Sequence, residues 1–403
     1  MPRVSSMEVG NAISNKVRIP ATLLLTGMVG SCIGALAWPA FPALSLLVLL
    51  GWALSKNRWT IYILMLGYYL GAARGIPAGA GEFFGVLSNG HTGLVEGYGF
   101  WILSSVLLSL PWIVVLPTRS KHPFFITLTG FALGLFASVV PPLGLFGWVN
   151  PVFGVLALGW QAGLLSLVAV AVFVDLTEAK YVPLVAICLA LMVASGSELY
   201  TKPSYVVHYM AINTRVGMLP NSINGVYSRE VQLSALANAT DKVSIVMPES
   251  VAGVWAAGTQ WVWRNDIAGT AKYGTTQFVG AIVGTSKKGR SDVVLKLSAG
   301  KVQVLRVDQI PVPVSMWHPW APHHNYKLHL LRSPVVNGVA FDICYEQLLP
   351  WTAISILVRQ PHIIVGMAND WWSVKTSIPA IQKASLAILG RLAGVPVVAA
   401  VNT

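Results

Sequence analysis

The residue with the clearest potential for chemistry is Cys344, which follows the short apolar run Val339–Ile343 and precedes Glu346 by two positions. It is the only one of three cysteines in the polar half of the chain. A second apolar run, Val243–Met247, leads to Glu249 in the same way. A thiol acts as a nucleophile when a base lies beside it. Cys344 and Glu249 are therefore predicted to be the nucleophile and the general base of one catalytic site.

A third strand-like segment also ends in polar groups, at Asn369 and Asp370. Ligand sites in α/β domains form where strands end at one edge of a sheet. Taken alone, Glu249 is more simply a surface carboxylate and Cys344 a buried, inert thiol. Three strands that end in polar groups favour one convergent pocket instead. Asn369 and Glu346 are then expected to support the reaction, although an ion pair with a nearby arginine explains Glu346 equally well.

Signals for metals and cofactors are weak. Four histidines lie close together without acidic or cysteine partners, and we interpret them as loop residues: His318, His323, His324 and His329. No metal ion and no cofactor is therefore predicted. Three tryptophans fit an acyl-chain groove, a membrane interface or ordinary packing equally well: Trp255, Trp261 and Trp263.

The elements that must position these residues fall into two halves. Only nine of the 27 Lys and Arg residues precede residue 197, and the mean hydropathy of the chain is +0.64. Such sparse charge predicts a polytopic α-helical membrane domain at 1–196. Residues 197–403 have ordinary charge density and suffice for one compact α/β domain. The net charge of +12 includes no Lys/Arg run, so no nucleic-acid partner is expected.

Seven apolar stretches approach the length of about 20 helical residues that crosses a bilayer. They are Ile19–Trp38, Pro39–Leu54, Trp59–Ala80, Gly99–Pro117, Pro123–Val140, Pro151–Val174 and Tyr181–Ser195. We interpret the first as an uncleaved anchor rather than a signal peptide, because further apolar stretches follow at once. Its glycines are expected to let another helix approach closely: Gly27, Gly30 and Gly34.

Basic residues are distributed unevenly among the connections between these stretches. Eight of the nine lie before the first stretch or after the second, fourth and sixth, all on one side of the predicted bundle. Only Arg74 lies on the other side. The positive-inside rule makes the basic side cytoplasmic. Seven crossings then place residues 197–403 on the periplasmic face of a bacterial inner membrane.

The second half alternates strand and helix patterns, which is typical of an α/β domain. The predicted strands are Arg215–Leu219, Val243–Met247, Gln277–Val283, Asp292–Leu297, Val302–Val307, Val339–Ile343, His362–Met367 and Val395–Val401. The predicted helices are Tyr227–Asn238 and Ile378–Leu392.

Three segments carry a family resemblance: Met247-Pro-Glu-Ser250, Asp342-Ile-Cys-Tyr-Glu346 and Ala368-Asn-Asp-Trp-Trp372. They resemble the motif segments of the nitrilase, or carbon–nitrogen hydrolase, superfamily. The resemblance implies a nitrilase-like α-β-β-α sandwich, expected to be short at its C-terminal end, and a Glu–Lys–Cys catalytic set. It also implies amidase or acyltransferase chemistry that proceeds through a thioester on Cys344.

Membrane helices followed by such a domain resemble the apolipoprotein N-acyltransferases. The segments Val312-Pro-Val-Ser-Met-Trp317 and Cys344-Tyr-Glu-Gln-Leu-Leu349 are closer to a family of plasmid conjugal-transfer proteins, as is the ending Gly394-Val-Pro396 with Val401-Asn-Thr403. This resemblance implies a membrane-anchored protein that supports conjugal transfer. Its expected partners are inner-membrane lipids and a lipoprotein, pilus or other envelope component. Lipoprotein N-acylation and a catalytically inactive scaffold are the alternatives.

The lysine of the implied catalytic set has no direct counterpart. Its position falls on Asp308, or on Arg306 after a shift of two residues. Lys301 lies earlier on the same strand, and Lys327 lies too near the nucleophile in sequence. We predict that Arg306 supplies positive charge near the oxyanion, where a fixed donor typically contributes about 3 kcal/mol. The glutamate of the family's next loop is replaced by Met316.

The charge pattern gives a first testable prediction. Alkaline phosphatase, which is active only in the periplasm, should be inactive when fused after Arg119 and active when fused after Thr403, because basic connections stay in the cytoplasm. A reporter that is active only in the cytoplasm should give the opposite pattern at both positions. Phosphatase activity at Arg119 would contradict the predicted arrangement.

Overall fold

The computed structural model describes residues 6–87, 93–176, 208–218, 223–238, 244–285, 288–317 and 326–403. Contacts between residues divide the chain into two units. The first comprises 1–74, 99–138 and 149–199, and the second comprises 75–98, 139–148 and 200–403. Two short segments of the apolar half, 75–98 and 139–148, therefore group with the α/β unit.

The apolar half is helical. Its helices are α1 (Ser6–Ala37), α2 (Ser45–Leu54), α3 (Arg58–Ala72), α4 (Ile76–Leu87), α5 (Gly93–Ser109), α6 (Pro123–Ala137), α7 (Pro151–Val155) and α8 (Trp160–Leu176). The stretch Trp59–Ala80, predicted as one span, is instead two helices. The reason is Pro77, which lacks the N–H that would continue α3 and favours the first turn of a new helix. The predicted stretch Tyr181–Ser195 lies outside the described residues.

One helical stretch among the described residues is long and apolar enough to cross a bilayer. It is Gly93–Arg119, with 27 residues and a mean hydropathy of 2.1. Shorter apolar helices cover Ala21–Ala37, Pro42–Leu54, Pro123–Ala137 and Trp160–Asp175. The seven crossings therefore stay a prediction.

Helices α1 and α3 approach each other with their backbones in contact. A Cβ atom placed on Gly30 would lie 2.2 Å from the carbonyl oxygen of Leu64, and one on Gly71 would lie 2.1 Å from that of Ser31. Such distances are too short for any side chain, so only glycine fits this contact. Gly34, which the sequence also indicated, lies equally close to Tyr68. Small residues thus set the spacing of the two helices, as is common between membrane helices.

This contact gives a second prediction. Gly71→Leu should destabilise the helical unit by about 2 kcal/mol or more, because the added side chain forces the helices apart. Gly99→Leu is the matched control, since nothing lies within 4 Å of a Cβ atom at Gly99. Thermal unfolding of the purified protein in detergent should show a lower midpoint for Gly71→Leu alone. Equal midpoints for the two variants would disprove the proposed contact.

The polar half contains two sheets. The first has five strands in spatial order: β1 (Tyr209–Ala211), β2 (Ser244–Val246), β3 (Thr276–Thr285), β4 (Gly289–Ser298) and β5 (Lys301–Val307). β1, β2 and β3 run parallel to one another, whereas β4 is antiparallel to its two neighbours, β3 and β5. The second sheet has four strands in order: β6 (Val335–Val336), β7 (Val339–Ile343), β8 (Ile363–Asn369) and β9 (Val397–Asn402). β7, β8 and β9 are parallel.

Helices cover the outer face of each sheet. They are α9 (Ile223–Asn238), α10 (Ala257–Val262) and α11 (Arg264–Tyr273) on the first sheet, and α12 (Pro350–Val358) and α13 (Ile378–Ala393) after strands of the second. Phe278 of the first sheet and Phe341 of the second share the core between the sheets. Leu233 of α9 and Val279 share a core on the opposite face of the first sheet. Leu386 of α13 lies against β8. The order of layers is therefore α-β-β-α, as the resemblance implied.

The strand predicted at Arg215–Leu219 is wrong for the described residues. The strand at this edge is β1, and the chain beyond it pairs with β9 through Thr214. The Thr214 N–H donates to Val401 at 2.9 Å, and the Thr403 N–H donates to Thr214 at 3.0 Å. Two N–H groups of the segment itself donate without strand pairing, Val216 to Asn402 Oδ1 at 3.1 Å and Gly217 to the Thr403 carbonyl oxygen at 3.2 Å.

Candidate active site

Cys344 lies at a sharp turn between β7 and a 3-10 helix at Cys344–Leu348. Its φ of 46° is in the left-handed region, which costs a residue with a side chain about 1–3 kcal/mol. Gln382 of α13 supports this conformation, because its amide Nε2 donates to the Cys344 carbonyl oxygen at 3.2 Å. The turn places Cys344 at the carboxyl end of β7, the position of other strand–turn nucleophiles.

Glu249 follows β2 and is 7% exposed. A Cβ atom on Gly280, in the middle of β3, would lie 2.5 Å from the Glu249 Cα. The segment that carries Glu249 therefore crosses directly over β3, which only glycine permits. The Glu249 carboxyl shares a hydrogen bond with the Cys344 thiol and accepts another from the Asn369 backbone N–H. The structure thus brings together the three strand ends that the sequence indicated.

Burial and negative neighbours set the proton affinity of this pair. Burial raises the pKa of Glu249 well above its usual range, and the charge of Asp292 raises it further. Burial likewise raises the pKa of the Cys344 thiol, with additional contributions from Glu249 and Asp370. The resting site therefore favours a neutral thiol beside a carboxyl with a strong affinity for a proton. A base of this kind can take the thiol proton as the sulfur attacks.

Further buried carboxyls surround the pair. Burial raises the pKa of Asp292 and of Asp370 to about 7 each. Asp292 accepts a hydrogen bond from the Ser250 hydroxyl at 2.8 Å, and Gln382 donates to Asp370. Asp308 is also buried, and its pKa lies well above the usual range because of burial and the charge of Asp292. The site is consequently acidic.

Glu346 forms an ion pair with Arg306, at 2.7 Å between Oε2 and Nη2. Both side chains are 1% exposed. The same carboxylate accepts backbone N–H groups from Ile343 at 3.1 Å and from Ile310 at 3.3 Å, and one from Gln309. Glu346 thereby joins the turn that carries Cys344 to the segment that follows β5. Of the two readings that the sequence left open for Glu346, the structure shows the ion pair.

The structure shows no lysine beside Cys344 among the described residues. Lys301 and Lys327 are exposed. Arg306 is buried, and its Nε and Nη1 groups have no hydrogen-bond partner in the described part of the chain. Its role at the oxyanion stays a prediction, since its observed partner is Glu346. Asp308, at the position expected for lysine, is buried among carboxyls.

A hydrogen-bond network behind the site was not predicted from the sequence. The Asn402 amide donates to Asn369 Oδ1 at 2.8 Å and to the Gly217 carbonyl at 2.9 Å. The side-chain oxygen of Asn402, Oδ1, accepts from the Thr214 hydroxyl at 2.8 Å and from the Val216 backbone N–H at 3.1 Å. Asn402 is fully buried and fixes the end of β8, where Asn369 meets Glu249. The only sequence signal for it was the ending Val401-Asn-Thr403.

The structure describes only some of the remaining candidates. His318, His323 and His324 fall outside the described residues, and His329 contacts Ser291 at 3.2 Å. No group of three or more His, Cys, Asp or Glu side chains in the described ranges is arranged to hold a metal ion. Trp263 is fully buried in the core, whereas Trp261 is 62% exposed with the Arg264 guanidinium over its ring.

No protein-family model matches the chain. Among solved structures, it is similar to an amidase of the nitrilase superfamily from Nesterenkonia, with 11% identity and a TM-score of 0.32 over 48% of this chain and 74% of that one. It is also similar to a carbon-nitrogen hydrolase from Helicobacter pylori, with 12% identity and a TM-score of 0.35 over 49% and 73% of the two chains.

Two curated relatives match almost the whole chain. A protein named conjugal transfer protein TraB from Agrobacterium fabrum is 29% identical over 92% of this chain and 90% of its own length. A probable conjugal transfer protein TraB from Sinorhizobium fredii is 28% identical over 94% and 96%. The predicted resemblance is thereby confirmed: this chain is similar, along nearly its full length, to the TraB proteins of conjugal transfer.

Proposed function

We propose that this protein is a membrane-anchored, Cys344-dependent amidase or acyltransferase that supports plasmid conjugal transfer by acting on an envelope substrate. The observation that carries the proposal is the buried hydrogen bond between Cys344 and Glu249, held at a strained turn. Strain and buried titratable pairs are costly to a fold and concentrate at catalytic sites. The names of the two relatives support the link to conjugal transfer.

The reaction follows from the groups in place. Glu249 takes the thiol proton as the Cys344 sulfur attacks the carbonyl carbon of an amide or ester. The tetrahedral intermediate collapses to a thioester, and Glu249 returns the proton to the departing amine or alcohol. Water then attacks the thioester to complete hydrolysis, or an amine attacks it to complete acyl transfer. In either case Glu249 accepts the proton of the attacking group, and the thiol is regenerated.

The chain's basic residues and its division into units support an inner-membrane location with a periplasmic α/β domain. The connection 81–98 and residues 141–148 of the connection 141–150, which lie between predicted stretches, are assigned to the periplasmic side by the positive-inside rule. These same segments group with the α/β unit. Neither of them contains any of the chain's Lys or Arg residues. Such a domain has access to lipids, lipoproteins and pilus components of the envelope.

The inactive scaffold is the second candidate. One observation favours it: where the resemblance implies a lysine, the chain has Asp308, and both lysines considered as substitutes are exposed. An oxyanion site without a cation loses about 3 kcal/mol of transition-state stabilisation. Measurement of chemistry at Cys344 separates the two candidates.

The third prediction therefore concerns Cys344 and Glu249. After incubation with donor-cell membranes, mass spectrometry of the intact protein should reveal an acyl group on Cys344. Glu249→Gln should lower the acylation rate by roughly 10²–10⁴-fold, since it removes the base. Both Cys344→Ala and Glu249→Gln should abolish conjugal transfer, and the double variant should do no further harm.

Alkylation by iodoacetamide distinguishes a Glu249 that acts as the general base from a Glu249 that is merely structural. Because the Glu249 charge raises the pKa of Cys344, Glu249→Gln should shift the pH midpoint of Cys344 alkylation downwards while acylation is lost. Cys32→Ala is the control, because Cys32 is an exposed thiol in the helical half. If the Cys344→Ala variant supports conjugal transfer at the same frequency as the parent protein, the result would favour the inactive scaffold instead.

The fourth prediction concerns Arg306. Arg306→Met should destabilise the domain by about 3–5 kcal/mol, because the Glu346 carboxylate is left buried without its cation. Arg306→Met combined with Glu346→Gln removes both charges and keeps one acceptor oxygen for the Gln309 and Ile310 N–H groups, while the Ile343 N–H loses its acceptor, so part of the stability should return. If Arg306 also stabilises the oxyanion, acylation of Cys344 should stay low in the double variant and recover in part in Arg306→Lys. Full acylation by the double variant would reduce Arg306 to a structural role.

A further inference from the structure

Asp308 is the group in this site that neither the fold nor the catalytic pair accounts for. The residue is 3% exposed, and neither carboxyl oxygen has a hydrogen-bond partner among the described residues. Its backbone is already satisfied, because the Asp308 N–H donates to the Asp292 carbonyl oxygen at 2.9 Å. The strand pairing therefore does not need this side chain. A buried polar group without a partner costs stability, so its presence calls for an explanation.

Charge around Asp308 is unbalanced. The carboxyls of Asp292, Glu346 and Glu249 all act on it, and each disfavours a further negative charge. Arg306 is the cation that acts on Asp308, and Arg306 is already hydrogen-bonded to Glu346. A positive charge at Asp308 would therefore relieve repulsion from several carboxyls at once.

The surroundings suit an organic cation. Tyr326 is largely buried and lies near enough to Asp308, Asp292 and Glu249 for their charges to raise its pKa. The face of an aromatic ring attracts ammonium and guanidinium groups. No arrangement of carboxyls in the described ranges fits a metal ion. Asp308 and Tyr326 thus offer a carboxyl group and an aromatic ring to a cation.

We propose that Asp308 binds a cationic nitrogen, a primary ammonium or guanidinium, carried by the substrate on which Cys344 acts. The substrate is then a cationic amide, ester or amine rather than a neutral or anionic one. This inference rests on the proposed function, because it assigns the substrate class of that same site. The substrate adds a positive charge beside Asp308, because Arg306, the cation that acts on Asp308, is already paired with Glu346.

Charge-selective labelling of Cys344 tests the inference in the full-length protein in detergent. Three methanethiosulfonate reagents of similar size transfer an aminoethyl, a propyl or a sulfonatoethyl group to a thiol and release methanesulfinate. Mass spectrometry of the peptide that contains Cys344 measures each rate and excludes the other cysteines. The aminoethyl reagent should react at least about tenfold faster than the propyl reagent, and the sulfonatoethyl reagent should be slowest.

Asp308→Asn should reduce the ratio of aminoethyl to propyl rates to about 1, while the propyl rate changes little. The matched control is Asp266→Asn on α11, because Asp266 is also a buried carboxyl with an unpartnered oxygen but lies in the outer helical layer. Its ratio should equal that of the parent. The thermal midpoint of Asp308→Asn should not fall below that of the parent, since Asp308 has no partner to lose in the described structure.

Each other outcome overturns the inference. Equal rates for the three reagents would leave the nucleophile intact but disprove a cation site. An unfolded or strongly destabilised Asp308→Asn would show that the carboxyl is structural. If no reagent modifies Cys344 in the folded protein, although all modify it after denaturation, the proposed function fails and this inference fails with it.

Discussion

The carboxylate of Glu346 is the constraint on which the rest of the site depends. It receives the Arg306 guanidinium and three backbone N–H groups, two from the segment after β5 and one from the end of β7. One side chain thus ties the two sheets together where their polar ends meet. The turn that carries Cys344 begins beside this tie. The left-handed conformation of Cys344 persists because the surrounding hydrogen bonds fix it on both sides.

The same carboxylate also shapes the electrostatics of the site. After burial, its charge raises the pKa of Asp342, to about 8, and contributes to the raised pKa of Asp292 and Asp308. The Arg306 charge opposes this effect at Asp308 and Asp342. A contact that is structural in origin therefore adds to burial in favouring the protonated form of these carboxyls. Arg306 is difficult to classify by position alone, since it acts both on its partner and on these neighbouring carboxyls.

The sequence predicted most strands of the α/β domain and the positions of Cys344 and Glu249, because both depend on local patterns. A buried strand is visible as an apolar run, and the polar residue at its end is visible beside it. The order of layers came from the family resemblance, which the contacts between sheets and helices match. The break between α3 and α4 was missed, although Pro77 marks it. The steric effect of proline was sufficient to predict this break, but the prediction followed the continuous apolar composition of the stretch instead.

Other parts of the site could not be predicted from local patterns. Gln382 lies on a helix, and its amide contacts a carbonyl group of a distant turn. Asn402 joins three segments that are widely separated in sequence. The need for glycine at position 280 arises only because another segment crosses β3. In each case the requirement is created by the tertiary fold, and a single sequence carries no periodic signal for it.

The raised pKa of Cys344 gives the acidic site a chemical consequence. A thiol that is reactive at rest is readily oxidised or modified in an oxidising compartment, whereas a neutral buried thiol resists both. Burial, together with the carboxyls beside Cys344, raises the pKa of the thiol and favours its neutral state. A cationic substrate at Asp308 would offset those negative charges and lower the free energy of the thiolate as it forms. On this account the substrate completes the catalytic set, and the nucleophile becomes reactive only when there is something for it to attack.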